Sequence, residues 1–244
     1  MLTYKDHLIE LKNRLLKVMI FYCLAFAISY YYKQWLYEIL IAPLARIHSD
    51  DVQVIHTGIT EVFTTYLKIV FYSAWALSIP LVSFQVYQFI APGLKNYERK
   101  IAKNLLYLAP VLFICACLFV YFIAMPNALE FFLSFDKLAK QKLIFQARIT
   151  EYLDFVLSFM LAFGMAFELP VILVVLFLLK IISLEGMIRN RRIVIVLNFT
   201  LAGILTPPDV MSQLFLALPM CVLYEISILV CKNINQYMVI HDRY

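Results

Sequence analysis

Tyr152-LDFVLSFMLAFGMAFELPVILVVLFL-Leu179 holds two acids, Asp154 and Glu168, and no base. A bilayer core of about 30 Å needs about 20 helical residues per crossing. The stretch is long enough to cross, and to tilt or extend beyond the membrane. Strands of a membrane barrel would be about ten residues long and would alternate polar with apolar. This run does neither. Five further apolar runs share its character: Leu15–Tyr32, Thr64–Ile90, Leu105–Met125, Ile193–Leu205 and Val210–Val230. The expected fold is all-α, a single six-span membrane domain over residues 1–244.

Composition agrees. Hydrophobic residues make up 64% of the 244 and charged ones 15%, against roughly 45–50% and about 25% in soluble domains. A soluble fold of this size cannot bury so much apolar surface, and a disordered chain would carry more charge. Cys23, Cys115, Cys117, Cys221 and Cys231 lie in or beside apolar runs without CxxC spacing. They fit small buried hydrophobes rather than a disulfide framework or a zinc site. The formal charge of +5 punctuates apolar segments, which argues for orientation in a bilayer and against nucleic acid. The polar opening Thr3-Tyr-Lys-Asp-His7 lacks the pattern of a cleavable signal peptide.

Six spans put both termini on one side. That side then holds Lys5, Lys12, Arg14 and Lys17, Lys95, Arg99, Lys100 and Lys103, Lys180, Arg189, Arg191 and Arg192, and Lys232 and Arg243, fourteen of the twenty-one bases. The other side keeps Lys33, Arg46, Lys68, Lys137, Lys140, Lys142 and Arg148 in longer loops, with acids that include Glu61, Glu151 and Asp154. The positive-inside rule therefore predicts that both termini face the cytoplasm, or the matrix or stroma of an organelle.

Local signals refine the spans. Thr3 caps a helix that runs along the inner surface into the first span. Tyr30, Tyr31, Tyr32, Trp35 and Tyr37 mark an outer aromatic belt, and Trp35 to Leu44 reads as an interfacial helix ended or bent by Pro43. Pro80, Pro110 and Pro170 lie within spans, where kinks are tolerated if neighbours satisfy the freed carbonyls. Ile193 to Leu205 gives only roughly 20 Å of helix at about 1.5 Å per residue. Pro207, Pro208 and Asp209 force the turn after it to meet water early, so this last hairpin is expected to thin the membrane locally.

No enzyme signature is present: no HExxH, no GxSxG and no Gly-rich phosphate loop. His7, His48, His56 and His241 are scattered through loops and tails, and no metal or cofactor is expected. Glu168 lies deep in its span, where an acid costs about 2.5–3.5 kcal/mol. It reads either as a proton site or polar contact for a guest helix, or as a protonated acid bonded to a neighbouring helix. Glu225, nearer a span end, can reach the interface. Glu10 and Glu98 stand among bases, and spacing alone gives them only ordinary solvated pairing.

The residues resemble a known family. His7-Leu-Ile-Glu10-Leu-Lys12-Asn-Arg14-Leu is similar to the amino-terminal HLxELRxRL signature of TatC, the receptor subunit of the twin-arginine protein translocase. Ala42-Pro43-Leu44 resembles its first outer-loop motif, and Thr60-Glu-Val-Phe-Thr-Thr-Tyr-Leu-Lys68 the approach to its second span. Phe89-Ile-Ala-Pro92-Gly-Leu-Lys95-Asn-Tyr-Glu98-Arg99 resembles its first cytoplasmic loop. Phe163-Gly-Met-Ala-Phe-Glu168-Leu-Pro170, Leu205-Thr-Pro-Pro-Asp209-Val-Met-Ser-Gln213 and Pro219-Met-Cys-Val-Leu-Tyr224-Glu225 resemble three more motifs. Seven matches in sequence order, from about residue 7 to residue 230, make the resemblance specific.

The resemblance implies a cup-shaped six-span protein that exports folded proteins on the proton-motive force. Its partners would be single-span proteins of the TatA and TatB type and signal peptides with two adjacent arginines, in a homo-oligomer within a larger complex. Glu10 and Glu98 would contact the arginine pair, with Lys12, Phe89 and Lys95 nearby. Pro43, Glu168, Thr206, Asp209 and Gln213 would supply intramembrane or partner contacts. Two arginines can engage two carboxylates at once through planar donor forks. Lys12 departs from the family's usual arginine, keeping the charge and losing the fork.

A rival reading, a proton-coupled small-solute transporter built on Glu168, would call for internal repeats, and none is visible. The membrane would be a bacterial inner membrane or, alternatively, that of an organelle such as a mitochondrion. Five Gly against twenty Phe and sixteen Tyr fits an AT-biased genome of either origin.

Overall fold

The computed structural model describes residues 4–47, 53–55, 58, 60–138, 146–206 and 209–241. Its helices are α1 (Tyr4–Tyr31), α2 (Lys33–Ile47), α3 (Glu61–Ile90), α4 (Asn96–Phe119), α5 (Met125–Leu138), α6 (Ile149–Phe167), α7 (Leu169–Leu178), α8 (Leu184–Arg189), α9 (Arg191–Leu205) and α10 (Val210–His241). Besides helix there are β1 (Gln53–Ile55) and β2 (Gln146–Arg148), which pair in parallel with Gln53 opposite Gln146 and Ile55 opposite Arg148. This small ladder was not expected. It gives two connecting segments a mutual outlet for backbone hydrogen bonds.

Among the described residues, five stretches are long and apolar enough to cross a membrane: Ile9–Tyr31, Glu61–Gly93, Tyr97–Phe132, Ile149–Leu178 and Val210–Tyr237. Each contains most or all of one run expected from sequence. The remaining run forms α9, whose 15 residues give about 22 Å of helix. Helix α1 is continuous, so the expected surface segment and first span are one rod. Thr3, Pro207 and Pro208 lie outside the described residues.

Four expectations need correction. Of the two outcomes expected at Pro43, an end to the helix is ruled out: α2 runs through it to Ile47. A proline removes one ladder donor, and nearby the buried Tyr152 hydroxyl donates to the Leu40 carbonyl at 2.9 Å. The third span is longer than its apolar run, because α4 passes through a π-helical turn at Val120–Ala124 into α5. Lys68 and Asp154 sit inside α3 and α6 rather than in outer loops. The fourth run breaks at Glu168, between α6 and α7. Pro170 has no N–H to offer the Ala166 carbonyl, and the Glu168 N–H turns back three residues to Met165 at 3.2 Å.

The chain forms two compact units. One comprises Met1–Pro92 and Tyr121–Leu157. In it α1 packs along α3, where Tyr22 meets Phe71 edge-on at 5.8 Å and donates to the Phe71 carbonyl. Helix α2 packs on α3 and α5, with the Tyr37 and Tyr66 rings 5.3 Å apart.

The other comprises Gly93–Val120 and Ser158–Tyr244. Its core centres on Phe163, with ring centroids 4.8 Å from Phe159 and 5.6 Å from Phe119. Gly164 permits this packing: a Cβ there would lie 2.2 Å from Phe113 Cε2. Helix α7 packs on α4 and α10, then ends in a left-handed turn at Lys180 (φ 58°). The Ile181 N–H closes that turn on the Leu176 carbonyl at 3.0 Å. Helices α8 and α9 lie against α10.

Candidate functional site

In the first unit, Glu10 and Arg14 lie one turn apart on α1 and form an ion pair. Arg14 Nε donates to Glu10 Oε1 at 3.2 Å, and Nη2 donates to the same oxygen. The guanidinium also reaches the end of α3: Nη1 donates to Gln88 Oε1 at 3.0 Å and to the Gln85 carbonyl at 3.3 Å, and Nη2 to the Gln88 carbonyl at 3.2 Å. The sequence accounts for this docking. The Gln88 carbonyl would be served by the N–H four residues on, but that residue is Pro92. Arg14 also meets the negative end of the α3 dipole. Lys12 is exposed on α1, and Phe89 is exposed at the end of α3.

In the second unit, Glu98 occupies the third position of α4. Its Oε2 accepts the Lys95 backbone N–H at 2.8 Å, as in the carboxylate half of a capping box. The Tyr97 hydroxyl donates to Oε1 at 3.4 Å, the long limit of a hydrogen bond. Glu98 is only 3% exposed. That corrects the expectation of a solvated loop acid: the carboxylate is built into a helix start. Lys95 itself is exposed, with its ammonium 5.7 Å from the Tyr97 ring centroid.

The remaining expected residues fall on separate features. Pro43 is buried in α2. Glu168 sits at the α6–α7 break, and its Oε1 is buried without a hydrogen-bond partner among the described residues. At the start of α10, Asp209 Oδ1 accepts the Ser212 N–H at 2.7 Å as an N-cap, while Asp209 Oδ2 and Ser212 Oγ are buried and unpaired among the described residues. The Thr206 hydroxyl is turned inward onto the Ala202 carbonyl at 2.8 Å. Gln213 Nε2 donates to the Phe199 carbonyl at 2.9 Å and thereby ties α10 to α9. A Cβ on Gly203 would come within 3.1 Å of that nitrogen. Thr206 and Gln213 thus also serve the hairpin's own construction.

Several residues escaped the sequence reading. Arg14 and Gln88 were detectable only as the Glu10 spacing and the proline four residues after Gln88. Arg191 pairs with Glu225 at 3.1 Å between α9 and α10, and the Tyr224 hydroxyl donates to the Met187 carbonyl at 2.9 Å. Glu225 therefore meets a base from α9 well inside the continuous helix α10.

Similarity to known proteins follows the same features. The family model described as Sec-independent protein translocase protein (TatC) matches residues 6–219. The Sec-independent protein translocase protein TatC of Rickettsia prowazekii (strain Madrid E) is 42% identical, over 99% of this chain and 97% of its own. That of Magnetococcus marinus is 36% identical, over 95% of this chain and 84% of its own. The crystal structure of the twin arginine translocase receptor TatC in DDM aligns with a TM-score of 0.80 at 33% identity, over 92% of this chain and 98% of that one. A multi-span membrane protein with these motifs in this order, the chain belongs to the TatC family of Sec-independent protein translocase proteins.

Proposed function

We propose that the protein is the receptor and core subunit of a translocase that exports folded proteins bearing twin-arginine signal peptides. The observation that carries this reading is the likeness, over nearly the whole chain, to a solved twin arginine translocase receptor at 33% identity. The chain would act as one membrane domain with six spans, α9 being the short one, and with both termini inside. The membrane is a bacterial inner membrane, consistent with the bacterial relatives. The subunit performs no catalysis of its own; the proton-motive force drives transport through a complex with TatA- and TatB-type partners and further copies of this chain.

In this reading, Glu10 and Glu98 each take one guanidinium of the signal's arginine pair, with Lys12, Phe89 and Lys95 bordering the contact. Glu98 is held by the Lys95 N–H on Oε2, and the guest would displace the long Tyr97 bond on Oε1. A charge-assisted bond then replaces a weak neutral donor. Pro43, Glu168, Thr206, Asp209 and Gln213 would supply intramembrane or partner contacts. Glu168 Oε1, buried and unpaired among the described residues, offers an acceptor where such a bond is poorly contested by water. Expression in a bacterial strain lacking its own TatC tests the reading. Restored export of a folded twin-arginine reporter is expected, and failure at normal membrane level with matched partner proteins would refute it.

A further inference from the structure

The connection from α7 to α9 is held as a fixed frame. The Ser183 hydroxyl caps α8 by accepting the Gly186 N–H at 3.1 Å, and Met187 is buried. The buried Tyr224 hydroxyl of α10 donates to the Met187 carbonyl at 2.9 Å. The backbone then passes through Asn190 with helical bonding on both sides. Its N–H donates to the Gly186 carbonyl and its own carbonyl accepts from the Val194 N–H, each at 3.0 Å. Residues three and four apart across this joint therefore share a side. Arg191 turns to α10 and pairs with Glu225 at 3.1 Å. Arg189 and Arg192, three apart, are exposed and have no hydrogen-bond or ion-pair partner among the described residues. Glu185, one turn before Arg189, is exposed and makes no ion pair with it. The neighbours of Arg192 on its own face are apolar and open: Ile188 is 44% exposed, Ile195 43% and Val196 65%.

We propose that Arg189 and Arg192 seat the phosphodiester headgroup of an acidic phospholipid, with an acyl chain laid along Ile195 and Val196 of α9. The proposal is independent of the signal site. Two guanidiniums offer donor forks to the headgroup's free oxygens, and neither gives up a partner to do so. Head and chain together account for the pattern. A soluble phosphate would satisfy the arginines but leave the isoleucines and the valine beside them in water. A zwitterionic lipid would cover those side chains but bring an ammonium that the arginines repel. An acidic phospholipid meets both demands, its head level with the α8–α9 joint and its chain along the first turns of α9.

The test places the full chain in phosphatidylcholine vesicles with a trace of phosphatidylglycerol or phosphatidylcholine that carries a photoactivatable group in its acyl chain. Label on residues 193–200 is read by mass spectrometry. In wild type, phosphatidylglycerol should label this segment about tenfold more than phosphatidylcholine, since each base near an acidic headgroup favours it severalfold. Arg189→Gln with Arg192→Gln should bring the ratio to about twofold or less. Arg192→Gln alone should lower it about threefold, and it carries the test if the double variant does not accumulate. Arg189→Lys with Arg192→Lys keeps the charge without the forks and should fall between. Lys100→Gln with Lys103→Gln removes the same charge from exposed positions on α4 and should leave the ratio on α9 unchanged. Equal labelling by the two lipids in wild type, or an equal fall in the α4 control, overturns the proposal. Loss of the label to an excess of soluble glycerol phosphate also overturns it, by showing a site for a free anion in place of a lipid.

Discussion

Lys68 Nζ stands 2.7 Å from both carboxylate oxygens of Asp154, joining α3 to α6 across 86 positions of sequence. Both residues are about half-exposed, at 44% and 45%, so in water the pair would be worth about 1 kcal/mol or less. Lys68→Met and Asp154→Leu should each lower thermal stability in detergent by more than the double variant does, because each single change leaves a lone charge between helices. A double-mutant cycle with no coupling would show that the two charges stabilise the unit independently.

Glu98→Gln separates charge from capping. The amide oxygen can still accept the Lys95 N–H, so membrane level and unfolding temperature should stay near wild type. Signal binding should fall by roughly tenfold or more, corresponding to about 1.5–3 kcal/mol for one charge-assisted bond. Glu98→Ala removes the acceptor as well and should cost about 1 kcal/mol of stability in addition. Signal crosslinking at matched membrane levels reads the first effect and thermal melts the second.

Glu168 is expected to act as a polar contact for a guest helix, not as a relay. Glu168→Gln keeps hydrogen-bonding capacity and should retain much of the export activity. Glu168→Ala should lose more, and Glu168→Leu should fold well yet fail to assemble, since it removes a buried acceptor without a partner among the described residues. Export by the three variants at equal membrane levels decides. If Gln is as inactive as Ala, proton transfer is the better reading.

The short α9 makes its own test. Four apolar residues inserted between Val196 and Leu197 lengthen it by about one turn. The insertion leaves Gln213 on the Phe199 carbonyl but slides Arg191 about 6 Å along the axis, away from Glu225. The expected outcome is a stable, inserted protein with export lost. Glu225→Gln, which breaks the same ion pair without lengthening the helix, should export nearly normally. Normal export from the insertion variant would show the shortness to be incidental.

Topology is open to labelling. In a background without native cysteines, single cysteines at Lys95 or Arg191 should be protected from an impermeant thiol reagent in intact cells, and those at Arg46 or Asp209 should react. Reaction at Lys95 from outside would invert the assignment.

The helices and the family are legible in the chain itself. A run such as Tyr152–Leu179 can satisfy its backbone in a bilayer only as helix, whatever surrounds it, so length and polarity suffice. The brevity of α9 is legible for the same reason, between Arg191 and Asp209. Motifs such as those around Glu10 and Glu98 name the candidate site without its geometry. What no local pattern gives is which distant groups meet. Glu98 reads as a solvated loop acid until α4 is seen to start at Asn96 and the carboxylate to close on Lys95. Glu10 reads as one half of an ordinary solvated pair until Arg14 is found anchored 71 and 74 positions away, on Gln85 and Gln88. Lys68 and Asp154 read as unrelated charges near the outer ends of two runs until α3 and α6 bring them together. Helix formation depends on neighbours within a few residues. The partners of a buried carbonyl or carboxylate depend on packing between helices, and that is a property of the folded chain alone.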